Sequence, residues 1–178
     1  LIKVTLPERI AIDSLKNISV RTENMNGEYQ PSTVTVAFLS LLPEQRLIRN
    51  RYWEQPDQYV KTKEEFVSFF PIDEYRNESD FKTWEVGNKV FTKTDTTSSS
   101  SLFNIANDAV QPGFYKVEIT TTDKDGNEVK DVRYLEVFDP NSNKLNRPEY
   151  LWTKGSNPIE LGEKTEVVVG SSAPSVFL

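Results

Sequence analysis

An all-β antiparallel sandwich is the fold class the sequence predicts, and three observations predict it. The dominant hydrophobic period is two rather than 3.6. An Asp-Gly step joins two alternating runs, the strongest short-range hairpin signal. Short apolar runs recur between clusters of Gly, Pro, Asn, Asp and Ser, as strands and turns of a sandwich do.

Each element can be justified in chain order. Ile18-Ser19-Val20-Arg21 alternates and is followed by Asn24-Met25-Asn26-Gly27, a strand and its turn. Thr33 to Phe38 places Val34, Val36 and Phe38 on one face, with the threonines and Ala37 on the other. Residues 52–91 break the pattern and hold half of the aromatic residues of the chain. Within them Thr62-Lys63-Glu64-Glu65 is a capping box, and Phe66, Phe69 and Phe70 follow on one helical face until Pro71 stops the helix. This stretch is expected to be an insertion whose aromatic face packs against the sandwich. Asp95-Thr96-Thr97 and the four serines after it read as a solvated polar loop.

Phe114 to Thr120 directs Tyr115, Val117 and Ile119 inward and Lys116, Glu118 and Thr120 outward. The Asp125-Gly126 turn leads into a second run, Glu128 to Phe138. There the apolar phase changes along Val132 to Val137, which predicts a bulge or a strand buried on both faces. The two prolines and small polar residues of 140–148 read as a linker. Beyond it Tyr150-Leu151-Trp152, Ile159 to Glu163 and Thr165 to Gly170 start further strands, as does the apolar end from Ser175 to Leu178. The expected organisation is an immunoglobulin/fibronectin-like sandwich over 1–139 with its helical, aromatic-rich insertion at about 52–91. A linker at 140–148 and the truncated start of a second β-domain over 149–178 complete it.

Composition excludes several chemistries. The 178 residues contain no Cys and no His, which removes thiol nucleophiles, imidazole bases and the usual zinc ligand sets. Seven scattered glycines leave no GxGxxG and no phosphate-cradling loop. No cofactor, catalytic residue or metal ligand is expected. A net charge of −6 disfavours nucleic acid as a partner, since such binders displace counterions with a basic face. Arg46, Arg49 and Arg51 beside Tyr52 and Trp53 are the one basic-aromatic knot, read as a solvated strand edge. No apolar run has the length of a membrane span, so no insertion within this segment is expected.

The remaining motifs have plainer readings beside their chemical ones. Ser79-Asp80-Phe81-Lys82 has the S-x-x-K spacing of serine acyl transferases, but the companion K-T-G and S-D-N are missing. Ser79 capping a short turn that buries Phe81 and Trp84 is the expected role. Asp123 to Asn127 hints at a calcium loop, yet its Gly comes too early and the twelfth position is Tyr134, so a hairpin turn is expected. Glu64, Glu65, Asp73, Glu74, Glu78 and Asp80 could supply a carboxylate pair for glycoside hydrolysis; clustered acids more commonly form a solvated face. Asn17-Ile18-Ser19 and Asn77-Glu78-Ser79 are formal glycosylation sequons. Trp53, Tyr59, Tyr75 and Trp84 are the candidate ligand or interface aromatics, set against the plain expectation that such side chains pack an insertion.

Several stretches together carry a resemblance. Gln111-Pro112-Gly113-Phe114-Tyr115-Lys116-Val117, followed by Asp123-Lys124-Asp125-Gly126, resembles the l-x-P-G-x-Y-x-v … D-x-x-G close of a macroglobulin-like domain. Trp53-Glu54-Gln55-Pro56-Asp57, Phe70 to Tyr75 and Trp84 to Gly87 resemble an insertion found in bacterial, Bacteroidetes-type alpha-2-macroglobulins. Leu151-Trp152 through Ile159-Glu160-Leu161-Gly162-Glu163 to Val169-Gly170 resembles the start of the next domain (MG2-like), with Leu161 where that family shows proline. The resemblance implies a non-catalytic structural segment of a protease-trapping array in the periplasm or at the cell surface. Its partners would be neighbouring domains of the same parent chain and, through the parent, proteases. The family's Cys-Gln thioester cannot lie within a chain that lacks cysteine. The rival expectation is a surface adhesion or carbohydrate-binding sandwich that exposes the 52–91 aromatics.

Overall fold

The computed structural model describes residues 1–49, 51–55, 57–105, 109–155 and 167–175. The expected strands at Ile159–Glu163 and Val176–Leu178, and Leu161 itself, lie outside the described residues. The chain divides into two compact units, Leu1–Pro43 with Trp84–Asn146, and Glu44–Thr83 with Arg147–Leu178.

The first unit is a β-sandwich. Its strands are β1 (Ile2–Thr5), β2 (Arg9–Ala11), β3 (Asn17–Thr22), β4 (Thr33–Leu42), β5 (Glu85–Thr96), β6 (Leu102–Asn104), β7 (Gly113–Thr122) and β8 (Glu128–Phe138). One sheet has the order β1-β3-β6 and the other β2-β8-β7-β4-β5. All pairings are antiparallel except the short parallel join of β2 to β8. Three residues after β1 the chain has crossed from one sheet to the other, so its first turn ties both layers together.

The period-two reading explains the core. Val34, Val36 and Phe38 of β4 and Val117 and Ile119 of β7 are fully buried, in one cluster with Ile18 and Val20 of the facing sheet and with Leu15 just before it. Ala37 is buried too, although it belongs to the outward row. It sits between Thr92 and Glu118 in register, and its single methyl is covered by longer neighbours. Asp125-Gly126 forms the turn of the β7–β8 hairpin, with Gly126 at φ +86° and its N–H donating to the Asp123 carbonyl at 3.1 Å.

Three expectations are corrected. No bulge interrupts β8: its register with β7 is continuous from Gly113↔Val137 to Thr122↔Glu128. The apolar phase changes because Leu135 and Val137 continue the inward row into the core, whereas farther along that row stand Asp131 and Arg133, ion-paired at 2.9 Å. Residues 85–91 belong to the sandwich as the start of β5, an edge strand in which only Phe91 is buried. Thr97, read as part of a solvated loop, is buried and bonded through its hydroxyl to Thr22 at 2.6 Å.

In the second unit, helix α1 (Lys63–Phe69) begins at the Thr62–Glu65 capping box and ends at Phe70. None of its residues is buried, and Phe69 is 66% exposed, so the phenylalanine face is not the packed surface expected. The antiparallel pair of β9 (Trp152–Gly155) and β10 (Val167–Gly170) belongs to this unit, as does a parallel bridge between Ile48 and Glu149. Among the described residues no helix is long and apolar enough to cross a membrane.

Candidate functional site

The segment 44–83 is built on three arginines that the sequence reading placed on a solvated edge. Arg46 and Arg51 are mostly covered instead, whereas Arg49 stays partly exposed. Arg46 pairs with Glu78, Arg49 Nε donates to Asp73 Oδ1 at 2.6 Å, and Arg51 Nη2 donates to the Glu74 carbonyl at 2.8 Å. Each thus meets one acidic residue of 73–78, so the two stretches are joined by charge. Glu78 is the hub. It also takes Lys63 Nζ at 2.9 Å and the Tyr75 N–H at 2.8 Å. Burial pushes the Glu78 carboxyl up, but the Lys63 and Tyr75 donors and the Arg46 charge outweigh it and hold the group below its ordinary range.

Asp73, Glu74 and Glu78 thus each face a cation, and Glu78 is held ionised rather than kept as the protonated carboxyl that a general acid needs. Ser79 Oγ donates to Glu74 Oε1 and so is no partner for Lys82; the turn at Phe81–Thr83 is capped by Asp80, whose Oδ1 accepts from Lys82 N at 3.0 Å. Asp123 Oδ1 accepts from the N–H groups of Asp125 and Asn127 at 2.9 and 2.8 Å, which makes the would-be calcium loop a side-chain-stabilised turn. Among the described residues no group of three or more acidic, Cys or His side chains could hold a metal ion.

Three of the four candidate aromatics come together. Trp53, Tyr59 and Tyr75 line one pocket of about 410 Å³, shared with Phe66, Phe70 and Arg51. Tyr59 and Tyr75 pack edge-to-face with centroids 5.1 Å apart, and Phe66 lies 5.4 Å from Tyr75. The Tyr75 hydroxyl donates to the Lys61 carbonyl at 2.9 Å and that of Tyr59 to Gln55 at 3.2 Å. Trp53 is 55% exposed at the rim, with the Arg49 guanidinium 5.9 Å from its ring. Trp84 takes no part. It is buried in the sandwich unit with its ring 4.8 Å from Phe114, so it cannot present a platform to a ligand.

Sequence reasoning missed Phe66 and Phe70 as pocket walls, having assigned them to an interior face, and missed Arg76. Arg76 has φ +62°, an uncommon conformation for a side chain of this size, and its guanidinium covers the Tyr59 and Tyr75 rings at 5.1 and 5.4 Å. No motif marks such a residue; only the fold brings it to the tyrosines.

Compared with protein-family models, curated proteins and solved structures, the chain matches none.

Proposed function

We propose that this chain is a non-catalytic macroglobulin-like segment of a larger alpha-2-macroglobulin-like protein, acting as a spacer in a protease-trapping array at the cell envelope. The observation that carries the proposal is the Gln111–Tyr115 corner. Tyr115, which follows Pro112-Gly113 at the start of β7, turns its hydroxyl back to the Gln111 carbonyl at 2.7 Å. A tyrosine that ties the entry of a strand to the backbone a few residues upstream is a device of immunoglobulin-like sandwiches. In this sequence it falls on the P-G-x-Y stretch that carries the resemblance.

Two further features support a mechanical role. The sandwich core is continuous, which suits a rigid element whose function is to move as a body. The acids of 73–78 that could have served hydrolysis are engaged by arginines and a lysine. The test is limited proteolysis of the intact parent protein: a trap compacts on cleavage and retains the protease, whereas a passive surface module is merely cut.

A further inference from the structure

The pocket in segment 44–83 has a composition that selects a ligand. At about 410 Å³ it falls in the range of roughly 300–1,000 Å³ usual for small organic ligands. Its walls are apolar rings, chiefly Tyr59, Phe66, Phe70 and Tyr75. Several of the polar groups that could bind sugar hydroxyls are engaged within the unit. Both tyrosine hydroxyls are bonded within the unit, Asp73 holds Arg49 at 2.6 Å, and Glu74 Oε1 accepts from Ser79 N at 2.9 Å.

Two cations beside the pocket are different. Lys61 Nζ lies 4.7 Å from the Phe69 ring centroid and Arg76 over the two tyrosines; neither has a carboxylate partner among the described residues. Both residues are exposed. Arg76 is also the non-glycine residue held at φ +62° on this segment, with its carbonyl fixed by Arg51 Nη2 at 3.2 Å and Gln55 Nε2 at 3.3 Å. Backbone strain of this kind clusters at ligand clamps, because the surrounding structure must hold it in place. An apolar aromatic cavity edged by two unmatched cations is complementary to a flat apolar body that carries an anion.

We propose that this pocket binds an arylalkyl carboxylate, with the ring among Tyr59, Phe66 and Phe70 and the carboxylate on Lys61 and Arg76. The same chemistry is offered by a free aromatic acid and by the C-terminal phenylalanine of a peptide. The inference does not depend on the trap reading.

Calorimetric titration of the whole 178-residue chain tests it. The probes are 3-phenylpropionate, N-acetylglycyl-phenylalanine as the peptide source, 3-phenylpropionamide and methyl glucoside. Saturable binding of one of the acids is expected, with the amide about tenfold weaker because it forfeits the charge-assisted bonds. Lys61→Gln and Arg76→Gln should each weaken the acid by about fivefold. The tighter of the two acids identifies the source. Equal binding of acid and amide, binding of methyl glucoside in place of the acids, or no heat from either acid up to about 10 mM would overturn the proposal. The acid–amide comparison needs no variant, so it holds even if a substituted chain folds poorly.

Discussion

The Tyr115 hydroxyl donates to the Gln111 carbonyl at 2.7 Å, and the same tyrosine ring lies 6.0 Å from Phe38 in the sandwich core. One side chain thus fixes the entry of β7 and fills the interior. Tyr115→Phe keeps the ring and removes the bond, so it should cost about 0.5–1.5 kcal/mol in urea unfolding. Burial raises the Tyr115 phenol above its ordinary value of 10.0. A folded value above the unfolded one gives stability that is fully present below pH 10.0 and is lost as pH rises through the folded value. The parent chain should therefore lose more stability than Tyr115→Phe on going from neutral pH to pH above 10.

Phe38 is fully buried and meets Phe91 edge-to-face at 5.6 Å. Phe38→Ala would leave a cavity between strands β4, β5 and β7, with an expected loss of about 3–5 kcal/mol. Thermal unfolding checks this. A loss under about 1 kcal/mol would mean that the two sheets do not enclose Phe38 as described.

Glu78 joins Arg46, Lys63 and the Tyr75 N–H, so Glu78→Gln takes the carboxylate from Arg46 and leaves Lys63 with Glu44 alone. The side chains of Arg46 and Glu78 are only 16% and 9% exposed, which places the cost above that of a surface pair, at about 2 kcal/mol. Because the Glu78 carboxyl is held below its ordinary 4.5, its contribution is present above that pH and is lost as pH falls through the lowered value. Protection of the 44–83 amides against hydrogen exchange should already be lower in Glu78→Gln at pH 6, and the difference from the unsubstituted chain should close as pH falls below 4.5 and the Glu78 carboxyl protonates.

How much of this could be seen in the sequence depends on which face of each strand is buried. Strand β4 was legible because alternation and burial coincide at Val34, Val36 and Phe38. The β7–β8 hairpin was legible from Asp125-Gly126, and the α1 cap from Thr62 and Glu65, because these signals act within a few residues. Strand β5 was not. As an edge strand it buries Phe91 alone, so its N-terminal half merged with the aromatic stretch before it. In the candidate site the tyrosines and Trp53 were legible as residue types, but their division from Trp84 was not. That division depends on which unit each side chain enters, a long-range outcome that spacing does not encode. The arginine–acid pairings across some 25 residues were invisible for the same reason.

Gly126 lies in the left-handed region at φ +86°, and a Cβ built there would meet nothing within 4 Å. The penalty for Gly126→Ala is therefore conformational only, about 1 kcal/mol, with no steric addition. Gly126→Asn should recover part of it, since Asn tolerates this region better. Chemical denaturation of the three chains gives the ranking Gly, Asn, Ala.

The proposed membership of a protease trap is tested most directly on the larger alpha-2-macroglobulin-like protein that the proposal calls for. A broad-specificity protease would be added while native-gel mobility and small-angle scattering are followed through limited cleavage. The account predicts abrupt compaction, after which the protease still cuts small peptides but no longer large proteins. Fragmentation without compaction, with full activity toward large proteins, would contradict it.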